Sequence, residues 1–420
     1  MQSAWQHVLV SPNAPNKLPI AALLIANAVS LIGSSLTMIA VPWFVLTTTG
    51  SAGKAGLTGA FEFLPAFFAG ILGGAVIDRI GPRTAALIAD LVSGLSILMI
   101  PLLYHTIGLA FWQLLLFVFL GSMLSIPGTT ARRTMLPDLS ALGNVRLERV
   151  NAILEGNQNV AMFLGPPLAG VLIAVMGASN VLWLDGASSL ISVVTVLCFV
   201  PDLRNRAERL ATSFVTEIKE GLTWLWHDQV VRMIAISLLS MNALTSPFFG
   251  LIFAVYIKNR YDDPRILGLV FSIFSLGLLA GTTLYGVFGI RIPRRALVVL
   301  FLLGASIAYW PMATDLPLIV LLVCAAITGL TDGPVNPLFV TVRLERIPPE
   351  LRGRVFSATS AFAQLMPAAV IPIAGLMIQQ IGLRPTVLIF ASATLVVGSI
   401  LSLSPAWTRL NEARGGGLMP

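Results

Sequence analysis

Four carboxylates stand inside stretches that are otherwise almost wholly apolar: Glu62, Asp90, Asp185 and Asp332. An ionised group in hydrocarbon is costly, so each needs a partner, a cavity or a proton. The chemistry open to such a group is proton exchange or capture of a cation. Glu62 is the sharpest case. Glu62, Ala66, Ala69 and Gly73 share one helical face while Phe61, Leu64, Phe68 and Leu72 cover the other, which turns the acid into protein, roughly 10 Å below the outer surface. Asp332 shares a face with Ala325, Thr328 and Asn336, again small and polar. Asp90 and Asp185 lie nearer the ends of their stretches, where water or a headgroup can solvate them. For these two a satisfied structural acid is the favoured role, with Asp185 kept as a third coupling candidate. His7, His105 and His227 all fall outside the centres of apolar stretches. No His/Glu metal spacing or nucleophile elbow is present, and Gly50 to Ala55 lacks the spacing and hydroxyl of a phosphate loop. Enzymatic chemistry, a metal, a cofactor and direct use of ATP are therefore not expected.

The elements that must position these acids follow from composition. Of 420 residues 56% are hydrophobic and 11% charged, against about a quarter charged in soluble domains, so the chain reads as an all-α membrane protein. Apolar runs of spanning length number twelve: Ile20–Leu46, Ala55–Ile77, Thr84–Tyr104, Leu109–Thr129, Ala152–Met176, Val181–Val200, Met233–Ile257, Leu267–Ile290, Ala296–Met312, Leu316–Val340, Val355–Ile381 and Thr386–Leu403. With both termini cytoplasmic, only Lys54, Lys258, Arg260, Arg265 and Arg384 of the 26 Lys and Arg fall outside. That bias accounts for the net charge of +7 without nucleic acid. Met1 to Lys17 lacks the layout of a cleavable signal, so the first span is expected to act as an uncleaved one. Cys198 and Cys324, in separate runs, suggest neither disulfide nor metal.

One long hydrophilic stretch, 201–232, divides the chain into six-span halves, 1–200 and 233–420. Within it Phe214, Ile218, Leu222 and Leu225 have helical spacing beside Trp224 and Trp226. Either an amphipathic helix on the cytoplasmic membrane face or a solvated linker helix fits that pattern. The halves are repeats: Ala69-Gly70 recurs as Ala280-Gly281, Pro137 as Pro348, and Pro167-Leu168-Ala169-Gly170 as Pro372-Ile373-Ala374-Gly375. Asp78-Arg79 has no such echo, since Ile290-Arg291 stands in its place.

The hairpin Gly73 to Arg83 resembles the loop between helices 2 and 3 of the major facilitator superfamily, G-x-x-x-D-R-x-G-R-[RK]. Gly74, Asp78, Arg79, Gly81 and Arg83 match, and Pro82 departs from the usual basic residue. The resemblance covers essentially the whole chain and implies two six-helix pseudo-repeat bundles with a substrate site near the midplane. It also implies a cytoplasmic gate, in which Asp78 meets the N-terminus of helix 11 near Gly353 and Arg354, and Arg79 and Arg83 pair with Glu148, Glu155 or Glu345. In the fifth run, Ala152, Ala161 and Gly165-Pro166-Pro167-Leu168-Ala169-Gly170 look like the family's antiporter signature, with alanine at three glycine positions; ordinary small-residue packing is the alternative. Phe117 stands four residues before Gly121, where proton-driven drug exporters often carry Arg. That departure, together with Arg132-Arg133, Leu136-Pro137-Asp138-Leu139 and Leu351-Arg352-Gly353-Arg354-Val355, resembles the branch of macrolide-efflux and siderophore-export proteins.

Asn27, Ser30, Ser34 and Thr37 on the first span, and Asn242 and Thr245 before Phe248-Phe249 on the seventh, mark a mildly polar wall that either lines a cavity with Asn336 or bonds helix to helix. The expectation is a monomeric secondary exporter of a small amphipathic or lipophilic compound, working by alternating access in exchange for protons in a bacterial inner membrane. Glu62 and Asp332 are its first proton sites. A uniporter or importer, or a non-transporting scaffold, is the alternative.

Overall fold

The protein, a computed structural model, is described over residues 16–202, 214–307, 309–314 and 316–410, with the side chains of 66–79, 214–219, 290, 307, 357, 361 and 364 outside the described set. The described elements are helices, without a strand among them. In chain order they are α1 (Leu18–Thr49), α2 (Ala52–Ile80), α3 (Pro82–His105), α4 (Phe111–Met123), α5 (Ser125–Gly143), α6 (Leu147–Met176), α7 (Ala178–Phe199), α8 (Phe214–His227) and α9 (Gln229–Pro247). A π-helical turn over Phe248–Ile252 leads to α10 (Phe253–Arg260). Then come α11 (Pro264–Phe288), α12 (Arg294–Ile307), α13 (Leu318–Asp332), α14 (Val335–Arg346), α15 (Pro349–Ile381) and α16 (Leu383–Ser402). Eleven described segments are long and apolar enough to cross a bilayer, some of them built from two consecutive helices. α2, with 29 residues, occupies the remaining expected span.

The fourth span runs further than hydropathy indicated. It comprises α4 and α5 and reaches Gly143 instead of ending near Thr129. Turns between spans use glycine where the backbone must turn left-handed. Gly81 (φ 86°) joins α2 to α3, and Pro82, with φ already fixed, opens α3. Gly177 (φ 84°) and Gly382 (φ 90°) make the corresponding turns after α6 and α15.

Packing sorts the described helices into two compact units that do not follow chain order. One holds α1 up to Thr37, Phe68–Gly165 and the chain from Leu182 through the end of α7; its core joins Leu23, Ala86, Ala131, Leu136 and Val196. The other takes Met38–Phe67, Pro166–Val181 and the chain from α8 onward, with a core around Val298, Leu302, Leu338, Phe339 and Trp407.

Within the second unit, backbones meet at glycine. A Cβ on Gly170 of α6 would stand 2.6 Å from the carbonyl oxygen of Pro264 and 3.2 Å from the Cα of Gly268 on α11. A Cβ on Gly56 of α2 would lie 2.9 Å from the carbonyl oxygen of Ile371 and 3.1 Å from the Cα of Gly375 on α15. Gly170 and Gly375 are repeat mates, so the same crossing is built twice. A glycine seam also joins α11 to α13, where Gly277 and Gly281 face Ala326 and Leu330, and Gly329 and Gly333 face Phe274 and Leu278.

The linker helix α8 docks one face on protein. Leu225 is buried with Ile347 and Val355, Gly221 lies against the backbone of Arg354, and Arg354 pairs with Glu220.

Gly170→Val and Gly375→Val are each expected to cost about 1–3 kcal/mol through overpacking. The readout is a lower melting temperature of detergent-purified protein. Gly156→Ala, whose added Cβ meets nothing within 4 Å, is the control that should not lower it.

Candidate functional site

The first unit resolves its two carboxylates by partnership. Asp90 on α3 is 6% exposed and forms an ion pair with Arg132 of α5, itself 5% exposed. Ser192 of α7 donates to its other oxygen at 2.6 Å. Small residues permit the approach: a Cβ on Gly128 would lie 2.8 Å from that of Ala89, and one on Gly94 would lie 3.0 Å from Ser189. Solvation at a helix end, the expectation for Asp90, is therefore replaced by a buried three-helix network. Arg132 entered the sequence reading only as part of a family motif; its role becomes visible when α3 and α5 are side by side.

Asp185, 4% exposed, is also buried rather than solvated. Thr37 of α1 donates to its Oδ2, while Oδ1 has no hydrogen-bond partner. That oxygen lies beside Gly33, whose Cβ would fall 2.5 Å from it and 2.0 Å from Ser188 Oγ. Of the two roles open to the α1 stripe, helix-to-helix packing accounts for part of it. Asn27 and Ser30 are buried, Thr37 serves Asp185, and exposed Ser34 donates to the Ser30 carbonyl at 3.1 Å.

In the second unit, Glu62 and Asp332 have no partner among the described residues. Glu62 on α2 is partly buried, on the same face as buried Thr58 and Ala55, and Leu57 is exposed on another. Asp332 closes α13, one turn beyond buried Thr328. Neither carboxylate has a hydrogen bond or ion pair among the described residues. Tyr309, fully buried, lies in the electrostatic field of Asp332 and stacks on Phe248 with ring centroids 3.7 Å apart. Around it Phe249, Phe253, Phe271 and Phe274 line a small apolar pocket that Thr328 completes. The π-helical turn follows Pro247 and aims Phe248 and Phe249 into this cluster. Just before it, the Asn242 Oδ1 and Ser246 Oγ atoms are buried without partners, and Thr245 is partly buried. Asn336 is exposed on the first turn of α14.

At the α2–α3 hairpin, Gly74 and the side chains of Asp78 and Arg79 lie outside the described residues. Arg83 pairs with no acid among the described residues. Its Nη2 donates to the Leu197 carbonyl at 2.7 Å, near the C-terminal end of α7, where carbonyls lack helical partners. The acids expected for it are engaged elsewhere: Glu155 with Arg133 at 2.7 Å, Glu148 with Arg146 at 3.5 Å and Glu345 with Arg294 at 2.7 Å. Arg354 is held by Glu220, and Gly353 has open space where a side chain would be. In the fifth-run motif, Gly165 abuts Ser35, Ala169 is fully buried and the Pro166 carbonyl meets Gly268, which is close small-residue packing.

Arg343 was not singled out by sequence. It lies as far beyond Arg132 as Pro348 lies beyond Pro137, but the place of Asp90 is taken by Phe301. Buried at 7% exposure, Arg343 donates from Nε to the Phe339 carbonyl at 3.2 Å and sits 4.2 Å from the centroid of the Phe356 ring. An aromatic face here replaces the lost carboxylate.

Asp90→Asn leaves Arg132 buried without a counter-charge, an expected loss of about 3 kcal/mol. Part of it should return in Asp90→Asn/Arg132→Gln. Thermal unfolding of the purified variants checks this, and equal melting of the single variant and wild type would deny the pair a structural role.

A sequence profile of the Major Facilitator Superfamily matches residues 23–262 and 237–416. The multidrug efflux pump Tap of Mycobacterium tuberculosis is 28% identical over 403 residues, covering 95% of this chain and 96% of the relative. Macrolide efflux protein A of Streptococcus pyogenes is 26% identical, covering 91% of this chain and 94% of the relative. Among solved structures, the nucleoside transporter NupG superposes with a TM-score of 0.76 at 12% identity over 91% of this chain and 98% of its own. A bacterial homologue of the lysosomal transporter Spinster gives 0.71 at 14%, over 93% and 96%. At such identities these likenesses speak for the fold alone.

Proposed function

Because this chain belongs to the Major Facilitator Superfamily, we propose that it exports small amphipathic or lipophilic compounds across a bacterial plasma membrane, both termini inside, in exchange for protons. Relatives named for multidrug and macrolide efflux support the direction and the cargo class. The observation that carries the coupling is the pair Glu62 and Asp332, membrane-embedded acids without a counter-ion among the described residues. Such an acid is stable in hydrocarbon when neutral and becomes costly when ionised, so its proton must leave when water or a cationic group of the cargo reaches it. Binding of cargo and loss of a proton are thereby coupled at one position.

The glycine crossings support the alternation. In the orientation given by the Lys and Arg bias, Gly56, Gly375, Gly170 and Gly268 lie toward the outer ends of their helices. Helices in contact at backbone distance there leave no path for a molecule of drug size, so this packing favours an outside-closed state. Aromatic rings around Tyr309 offer apolar surface with a few polar atoms, the composition that suits a lipophilic guest.

Proteoliposomes with an imposed pH gradient and a panel of a macrolide and a fluorescent lipophilic cation test the assignment. Wild type should accumulate at least one of these against its gradient. Glu62→Gln and Asp332→Asn should each lower gradient-driven accumulation at least about tenfold, a loss equivalent to ~1.4 kcal/mol, while gradient-free exchange persists. Accumulation at the wild-type rate in both variants would remove these acids from the mechanism.

A further inference from the structure

The turn between α11 and α12 forms an open cleft of about 630 Å³ lined by Tyr285, Gly289, Arg291, Pro293 and Arg294. Its arginines are not equivalent. Arg294 is bidentate to Glu345 at 2.7 and 2.9 Å and also reaches the Leu410 carbonyl at 3.3 Å. Arg291 and Arg295 are exposed and form no ion pair or hydrogen bond among the described residues. Glu345, the acid of this neighbourhood, is thus already committed. The repeat supplies a reason for the imbalance: the first-half hairpin carries Asp78 directly before Arg79, whereas Ile290 precedes Arg291 here. Net positive charge therefore remains at this turn.

The flank of the turn is apolar. Leu284, Val287 and Phe288 on the last turns of α11 and Leu300 on α12 are exposed, Val287 at 66%. On spans of this length such residues face acyl chains, and Arg291 follows Val287 by one helical turn toward water. α12 begins at Arg294, so its positive end also borders the cleft. Guanidinium groups beside a helix start and an exposed hydrocarbon-facing stripe fit one kind of ligand: a phosphodiester carrying acyl chains.

We propose that this cleft binds the headgroup of an anionic phospholipid of the cytoplasmic leaflet. Arg291, which lines the cleft, takes the phosphate, exposed Arg295 on the adjoining first turn of α12 adds positive charge, and the acyl chains lie along Leu284, Val287 and Leu300. A soluble phosphate would satisfy the arginines but leave the stripe unused. The site rests on the membrane orientation proposed above and is independent of what the chain exports.

Native mass spectrometry of the full-length detergent-purified protein tests the site with phosphatidylglycerol, phosphatidylcholine and inorganic phosphate as probes. Wild type should retain phosphatidylglycerol in preference to phosphatidylcholine. Arg291→Gln/Arg295→Gln should weaken that binding about fivefold per arginine removed. Ile290→Asp, which restores the acid of the first-half hairpin, should weaken it as well, while Arg291→Lys/Arg295→Lys keeps most of it. Arg146→Gln, at an exposed arginine already facing Glu148, should change nothing. Equal retention by wild type and Arg291→Gln/Arg295→Gln overturns the proposal, as does equal retention of the two lipids. Displacement of the lipid by millimolar inorganic phosphate overturns the lipid assignment in favour of a soluble anion.

Discussion

A charge surrounded by hydrocarbon must be paired, be spread over a polarisable partner or be neutralised, and the interior chemistry of this protein follows from that requirement. Asp90 is paired with Arg132 and bonded by Ser192. Arg343, whose counterpart acid is missing from the second half, rests over the Phe356 ring. Asp185 is half-satisfied by Thr37. Glu62 and Asp332 have no such partner among the described residues, which leaves neutralisation by a proton and is why the proposed coupling is assigned to them. The same requirement explains divergence between the repeats. Where the second half has no matching acid, the arginine rests over a ring, as at Arg343, or is exposed, as at Arg291.

Small residues set the second level of organisation. In a bilayer, helices gain little by burying apolar surface against one another, so close backbone approach and the contacts it permits decide which helices associate. Gly170 with Gly268, and Gly56 with Gly375, bring pairs of helices to backbone distance at repeat-related places. The α11–α13 seam of Gly277, Gly281, Gly329 and Gly333 does the same inside the second unit. Contacts of this kind tolerate no side chain and so behave as seams that are either closed or separated.

Much of the architecture was legible in the sequence because hydrocarbon thickness imposes a length. Eleven of the twelve expected spans and the Gly81-Pro82 turn needed nothing more. What could not be read depended on a partner element. Hydropathy ended the fourth span near Thr129 because Arg132 and Arg133 follow, yet Asp90 lets α5 carry Arg132 onward to Gly143. Arg83 was matched with acids by charge, but the partner it found is the carbonyl of Leu197, which carries no mark in sequence. Gly56 and Gly268 went unnoticed, since a lone glycine in an apolar run is uninformative until the helix it touches is known. The repeat alone drew attention to Gly170 and Gly375. Asn27 and Ser30 were read correctly as polar but not by what they face, because Ser, Thr and Asn at helical spacing serve packing and cavities alike.

Coupling of cargo movement to protons through unpaired acids is the centre of this picture. It is tested most directly by following the internal pH of wild-type proteoliposomes, with a trapped pH-sensitive dye, while a transported lipophilic compound is added with no imposed gradient. Cargo movement in one direction should drive proton movement in the other, with the dye signal scaling with the amount of cargo moved. Cargo flux at a constant internal pH would contradict it.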